Sequence, residues 1–325
     1  MATIYEVAER AGVSPATVSR VFNGIPVSPS YAERVRAAAE ELDFVPNRTA
    51  RRLRRRRSEV IALVIPDIEN PFFTALARGV EDAAMAAGYS VVLCNSDEHR
   101  EKEARYLQVA LSEQMAGVIL APAGHHPDLD TLVARNTPVV AVDRSAHGYE
   151  LDTVVMDDVA NGRAGTERLY AAGHGRVACI TGPADVDTAD QRARGWAEVF
   201  SAHHPGGDPT PYLVHSDYRV EGGRAAMERL LALPEPPDGV FVANNLMGVG
   251  ASQALSESDA EDLLVLGDLP FGMWPRPGSQ VLPLPARKLG DTAAELLLAR
   301  IKGDDGPPRR IVLDNAGLPV ADPVE

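Results

Sequence analysis

Two hydrophobic rhythms divide the chain. In the first segment Ile4, Val7, Ala8 and Ala11 recur at helical spacing, and Gly12 supplies a C-terminal stop. Ser14 is a good N-cap and Pro15 suits the first turn of a second helix, which points Val18, Val21 and Phe22 inward and ends at Asn23-Gly24. Ser28 or Ser30 caps a third helix with an apolar stripe of Val35, Ala38, Ala39 and Leu42. Helix, short glycine turn, helix and supporting helix is the helix-turn-helix arrangement. From Val60 onward, short apolar runs alternate with amphipathic stretches. The runs predict strands at Val60–Ile65, Val91–Cys94, Val118–Ala121, Val139–Val142, Val154–Met156, Val177–Thr181, Gly239–Ala243, Leu263–Leu266 and Ile311–Leu313. The stretches predict helices at Phe72–Ala87, Glu101–Ser112, Val159–Ala172, Gln191–Ser201, Glu221–Leu233, Leu246–Leu255 and Arg287–Lys302. Continuous apolar strands with helical crossovers imply parallel sheets covered on both faces. Nine to eleven strands overfill one open sheet, so the α/β part is expected as two subdomains with a ligand cleft between them.

Between the two rhythms lies PNRTARRLRRRRSE, in which Pro46 breaks the chain and the arginines of residues 48–57 repel one another. This places a headpiece with hinge at residues 1–57 (hinge about 46–57) and a second domain at 58–325. Charge sharpens the division. Residues 1–57 carry 11 arginines against 6 acidic residues, +5, while the remaining 21 basic and 40 acidic residues give −19. A basic head is drawn to phosphate and an acidic body is repelled by it. Cys94 and Cys179 sit in apolar runs and read as buried free thiols, which suits a reducing compartment. The start has neither basic nor apolar signal regions, and no apolar run approaches the ~18 residues of a membrane span. A cytoplasmic protein is expected.

The chain resembles the LacI/GalR family of bacterial regulators over nearly its full length. The resemblance rests on TIYEVAERAGVSPATVSRVFN, Val27-Ser28, ELDFVPNRTARRL, VIPDIENPFF, PVVAVDR and RLYAAGHGRVACITGP. It implies that the helix from Ser14 to Asn23 enters the major groove. Pro15 and Ala16 would then read shape and thymine methyls, and Arg20 would contact a guanine bidentately. Thr3, Ser14, Thr17, Ser19 and Asn23 become phosphate contacts, although Thr17 and Ser19 also suit a merely solvated face. After Pro46 the resemblance implies a segment that folds when two subunits meet on DNA, with Leu53 wedged into the minor groove and Ala50 on the same side. Asn47, Arg48, Arg51 and Arg54 join these DNA contacts; a solvated basic linker is the alternative. The implied assembly is a homodimer on double-stranded operator DNA, since one small headpiece reads too few bases alone.

For the body, the resemblance extends to periplasmic sugar-binding proteins and implies a pocket at the carboxyl ends of strands. Phe72, Phe73 and Tyr218 are candidates to stack on a sugar or purine ring, with at least one of the two phenylalanines starting the helix core. Asp143 and Arg192 are expected either to hold hydroxyls or a carboxylate, or to pair as a salt bridge across the cleft. Asn245 and Leu269 stand where the family has Asp, and SQVLPLP replaces a Thr-bearing strand, which weakens the case for a common monosaccharide. A sugar or related metabolite remains the expected effector. No cofactor or metal is expected: GxSxG, P-loop, HExxH and GxGxxG motifs are absent, and His125-His126 and His203-His204 read as exposed loop residues. This argues against an enzyme, and the basic headpiece argues against a transport protein.

Overall fold

A computed structural model of the chain describes residues 2–22, 25–44, 58–255, 262–270, 273 and 277–320. Asn23, Asn47, Arg48, Ala50, Arg51, Leu53 and Arg54, and with them the hinge, lie outside the described residues. Two compact units divide between Ser58 and Glu59.

The first unit contains α1 (Ile4–Ala11), α2 (Pro15–Phe22) and α3 (Pro29–Glu41). Thr3 and Glu6 form a reciprocal capping box that satisfies otherwise orphaned amides of α1. Gly12 ends the helix at φ +62, a left-handed conformation that glycine adopts without Cβ strain, and Arg34 donates to the exposed carbonyls of Ala11 and Gly12. Ser14 accepts from the Thr17 amide at 3.1 Å, capping α2. Val7, Ala8, Ala11, Val18, Val35, Ala38 and Ala39 form the core, with Val21, Phe22 and Leu42 packed against it.

The second unit contains two sheets and is the expected α/β pair of subdomains. The larger sheet has strand order β12-β11-β5-β4-β3-β1-β2. Its members are β1 (Val60–Ile65), β2 (Ser90–Asn95), β3 (Val118–Leu120), β4 (Val139–Val142), β5 (Asp152–Met156), β11 (Arg310–Leu313) and β12 (Pro319–Val320). All pairings are parallel except β11 with β12. Around it lie α4 (Pro71–Ala86), α5 (Arg100–Ser112), α6 (Asp130–Ala134) and α11 (Ala286–Ile301). The smaller sheet, order β10-β9-β8-β6-β7, is parallel throughout. It comprises β6 (Val177–Thr181), β7 (Leu213–His215), β8 (Gly239–Val242), β9 (Asp262–Leu266) and β10 (Gln280–Leu282). Its helices are α7 (Asp158–Ala171), α8 (Asp187–His203), α9 (Val220–Leu231) and α10 (Asn245–Ala254). The chain passes from the first subdomain to the second at Asp157 and returns over residues 283–285.

Three helix pairs cross backbone to backbone, each through a reciprocal pair of glycines. A Cβ on Gly79 of α4 would overlap the Arg287 carbonyl of α11, and one on Gly290 would overlap that of Leu76. Gly162 and Gly195 do the same for α7 and α8, and Gly223 and Gly250 for α9 and α10. The missing side chains let each pair approach more closely than larger residues permit.

Several expectations need correction. α8 begins at Asp187, a turn before the predicted start, and runs on to His203 because no Gly or Pro intervenes before Pro205. His203 is therefore a helix residue rather than a loop residue, and it stacks on Tyr170 with ring centroids 3.8 Å apart. The strands β7, β10 and β12 and the helix α6 were not predicted. Cys94 and Cys179 are buried free thiols, and burial pushes both thiol pKa values up.

Candidate ligand cleft and nucleic-acid interface

In each sheet the first strand pairs with the second on one side and the third on the other: β1 lies between β2 and β3, and β6 between β7 and β8. These are the topological switch points, where open sheets offer a crevice at the strands' carboxyl ends. The two crevices face each other within the second unit. One cavity there is lined by Asp67, Asn70, Phe72, Phe73, Glu98, Asp143, Arg144, Thr188, Arg192, Tyr218, Arg219, Asn244, Asn245, Leu266, Gly267 and Leu284. Its volume is about 40 Å³, against the several hundred cubic ångströms of an ordinary ligand pocket. A monosaccharide enters only if the facing walls part.

Polar side chains hold those walls together. Arg219 donates to Asp67 at 3.3 Å and to Asp97 at 2.7 Å, joining the loop after β7 to the loops after β1 and β2. Asn245 donates to Asn70 at 2.9 Å, and the Arg144 guanidinium lies 5.6 Å from the Tyr218 ring centroid. Each wall is also braced internally. Arg144 makes a bidentate pair with Glu98, at 2.8 Å on both arms. Arg192 donates to Asp158 at 2.7 Å and to the Ala243 carbonyl at 2.9 Å. Asp143 is buried, and the burial pushes its carboxyl up to about 6 despite the attraction of Arg144 and Arg192. Four of the non-glycine residues with positive φ belong to this region: Asp97 (56), Glu98 (57), Asp143 (66) and Tyr218 (65). For a residue as bulky as Tyr218 such a conformation is costly and persists only where surroundings enforce it. Here its ring lies against Gly182, where any Cβ would strike it.

In the headpiece, Ser14, Pro15, Ala16 and Arg20 are exposed along α2, while Val18 on the opposite side is fully buried. Thr17 and Ser19 are half-buried. The Thr17 hydroxyl lies 2.9 Å from that of Ser14, and the Thr3 hydroxyl donates to Glu6.

Residues 3–47 match the profile of the bacterial regulatory proteins of the lacI family. Residues 58–263 match that of the periplasmic binding proteins and sugar binding domain of the LacI family. The ribose operon repressor of Escherichia coli (strain K12) is 33% identical over 309 residues, 93% of each chain. The chain belongs to the LacI family. Among solved LacI-family structures, the lac repressor dimer bound to operator and the anti-inducer ONPF superposes with a TM-score of 0.83 at 26% identity, covering 96% of each chain. The complex of the transcriptional regulator CelR with cellobiose gives 0.71 at 30% identity, covering 97% of each. This LacI-family chain is accordingly a DNA-binding regulator with a small-molecule effector domain.

All six residues expected in the LacI-type pocket, Phe72, Phe73, Asp143, Arg192, Tyr218 and Asn245, line the one cavity. Phe73 takes the core place expected of one phenylalanine, whereas the salt bridge across the cleft between Arg192 and Asp143 is not formed. Arg192 does not reach Asp143; its salt bridge goes to Asp158 at the start of α7, inside its own subdomain. Phe73 is buried in the first subdomain's core and meets Phe72 edge-on at 85°, so only Phe72 keeps partial exposure. Leu269 packs beside the second subdomain's core and does not line the cavity. Sequence reasoning missed Asp67, Glu98, Asp158, Thr188 and Arg219. The rule that ligands meet the carboxyl ends of strands would have found Asp67 and Glu98, which follow β1 and β2; nothing local marks Asp158 as the partner of Arg192.

Proposed function

We propose that this chain is a homodimeric repressor that releases or grips operator DNA according to a sugar or related polar metabolite held in the cleft. The observation that carries the reading is the cleft itself. Its walls present carboxylates (Asp67, Glu98, Asp143), guanidinium groups (Arg144, Arg219) and amides (Asn70, Asn245), a donor and acceptor set suited to a hydroxyl-rich ligand. Because the walls belong to two subdomains, a ligand that binds one spacing better than another changes their arrangement. In the headpiece, Arg20 and the exposed Pro15 and Ala16 form the base-reading side of α2, with Ser14, Thr17 and Ser19 toward phosphate. A second copy also suits the body. The edge strand β2 leaves Val92 and Leu93 about two-fifths exposed, and an open apolar edge invites pairing or cover. The relatives are repressors rather than enzymes.

The test is fluorescence anisotropy with a duplex from the gene's own promoter region, followed by thermal-shift screening against sugars, nucleosides and small acids. The reading expects nanomolar, salt-sensitive binding that a stabilising compound changes by tenfold or more. Affinity no higher than for random duplex would overturn it.

A further inference from the structure

Three side chains outside the cavity converge where the subdomains meet. His125 follows β3 and His147 follows β4, both in the first subdomain, while Asp187 opens α8 in the second. His125 Nδ1 lies 3.1 Å from Asp187 Oδ1, and His147 Nε2 lies 2.8 Å from Asp187 Oδ2. All the potential ligand atoms fall within 4.8 Å of one another. Donors around a tetrahedral zinc ion, with arms of about 2.0–2.1 Å, stand roughly 3.3 Å apart, so the group needs only small rotations to close on one ion.

We propose that His125, His147 and Asp187 bind a divalent transition-metal ion of the zinc class, bridging the two subdomains. Two imidazoles and one carboxylate form a nitrogen and oxygen set that favours zinc and its neighbours over calcium or magnesium, which prefer oxygen alone. The histidines are preorganised. The His147 amide donates to the His125 carbonyl at 2.9 Å, and His126 Nδ1 lies 3.2 Å from the His147 carbonyl. The two loops are thus stitched together before any ion arrives. His147 is nearly half exposed, which gives an entry path and leaves the fourth position to solvent. Arg309 lines a surface groove together with His147 and Asp187, but Asp152 at 3.1 Å and Asp304 at 3.0 Å pair its charge. A bound ion ties His125 and His147 to Asp187, and so favours close approach of the subdomains over separation. The site goes beyond the reading of the cleft and stands apart from it.

The experiment is calorimetric titration of Zn²⁺ into the full-length, chelator-treated protein, alone and as His147→Ala and Asp187→Asn. Expected is one saturable site per chain in the parent, weakened at least about tenfold in each variant, the scale of loss that even an outer partner of a metal ligand brings. Zn²⁺ should raise the melting temperature of the parent and not of the variants. His125→Gln is the second variant should either of the others fold poorly. No saturable binding, or binding that survives all three changes, overturns the site. Both readouts omit DNA and effector, so they are independent of the repressor reading.

Discussion

Asn245 donates from Nδ2 to Oδ1 of Asn70 at 2.9 Å, and the two amides stand at the first turns of helices from opposite subdomains. The same Asn70 oxygen accepts from the Phe72 amide at 2.9 Å, so it caps α4 while meeting the other wall. Asn245→Asp brings a carboxylate oxygen against that acceptor. The substitution is expected to lower thermal stability by about 1–3 kcal/mol and to enlarge the radius of gyration in small-angle scattering. An unchanged melting temperature and radius would show that this contact does not hold the walls.

Arg192 and Asp158 are each more than nine-tenths buried. Removing one leaves the other charge buried without its partner, which costs about 3–5 kcal/mol. Arg192→Ala should therefore unfold at markedly lower urea concentration, and Arg192→Met combined with Asp158→Leu should recover much of the loss. Additive single effects in the double-mutant cycle would show that the pair is not coupled.

Burial raises the carboxyls of Asp67, Glu103, Asp143 and Asp158, and it takes Asp143 and Glu103 up to about 6. Between pH 4 and 6 the folded state holds these protons more tightly than the unfolded chain. The stability they contribute is thus full below pH 4 and falls as pH rises through 6. Asp152 behaves oppositely. Hydrogen bonds from Arg300 and Arg309 outweigh its burial and hold it near 2, so its contribution is present above pH 4 and lost as pH falls toward 2. Urea unfolding across pH 4–7 should show a steeper decline for the parent than for Asp143→Asn, by roughly 2 kcal/mol over the window. Parallel curves would mean that Asp143 ionises normally.

Arg20 is exposed on α2 beside Pro15 and Ala16. Arg20→Ala should cost about 1–3 kcal/mol of operator affinity at one base position per half-site and relax preference there. Anisotropy across single-base operator variants distinguishes this from a uniform loss, which would make Arg20 a phosphate contact.

The elements that were legible in the sequence are those whose own residues repeat a pattern. β1 reads as VIALVI, five of its six residues are fully shielded, and it was placed to the residue. β7 and β10 have three residues each, and β10 is followed by proline, too short a run to show a period. The start of α8 was missed because Asp187, Thr188 and Asp190 look like a loop, whereas Thr188 and Ala189 face the interior. The cavity residues were found where a motif carried them. The partners of Arg192 and Arg144, and the left-handed backbone at Asp143 and Tyr218, arise only when distant segments pack, so no local pattern announces them.

The glycine crossings have a mechanical consequence. With α4 lying directly on α11, and α7 on α8, no layer of pliable side chains separates the helices that flank each sheet. Such a subdomain has little slack in which to absorb a small push. A small displacement at the cleft is therefore expected to turn a subdomain as one unit about the two strand-to-helix passages near Asp157 and residues 283–285. Each half then serves as a lever stiffened by residues with no side chain at all, two in the first subdomain and four in the second.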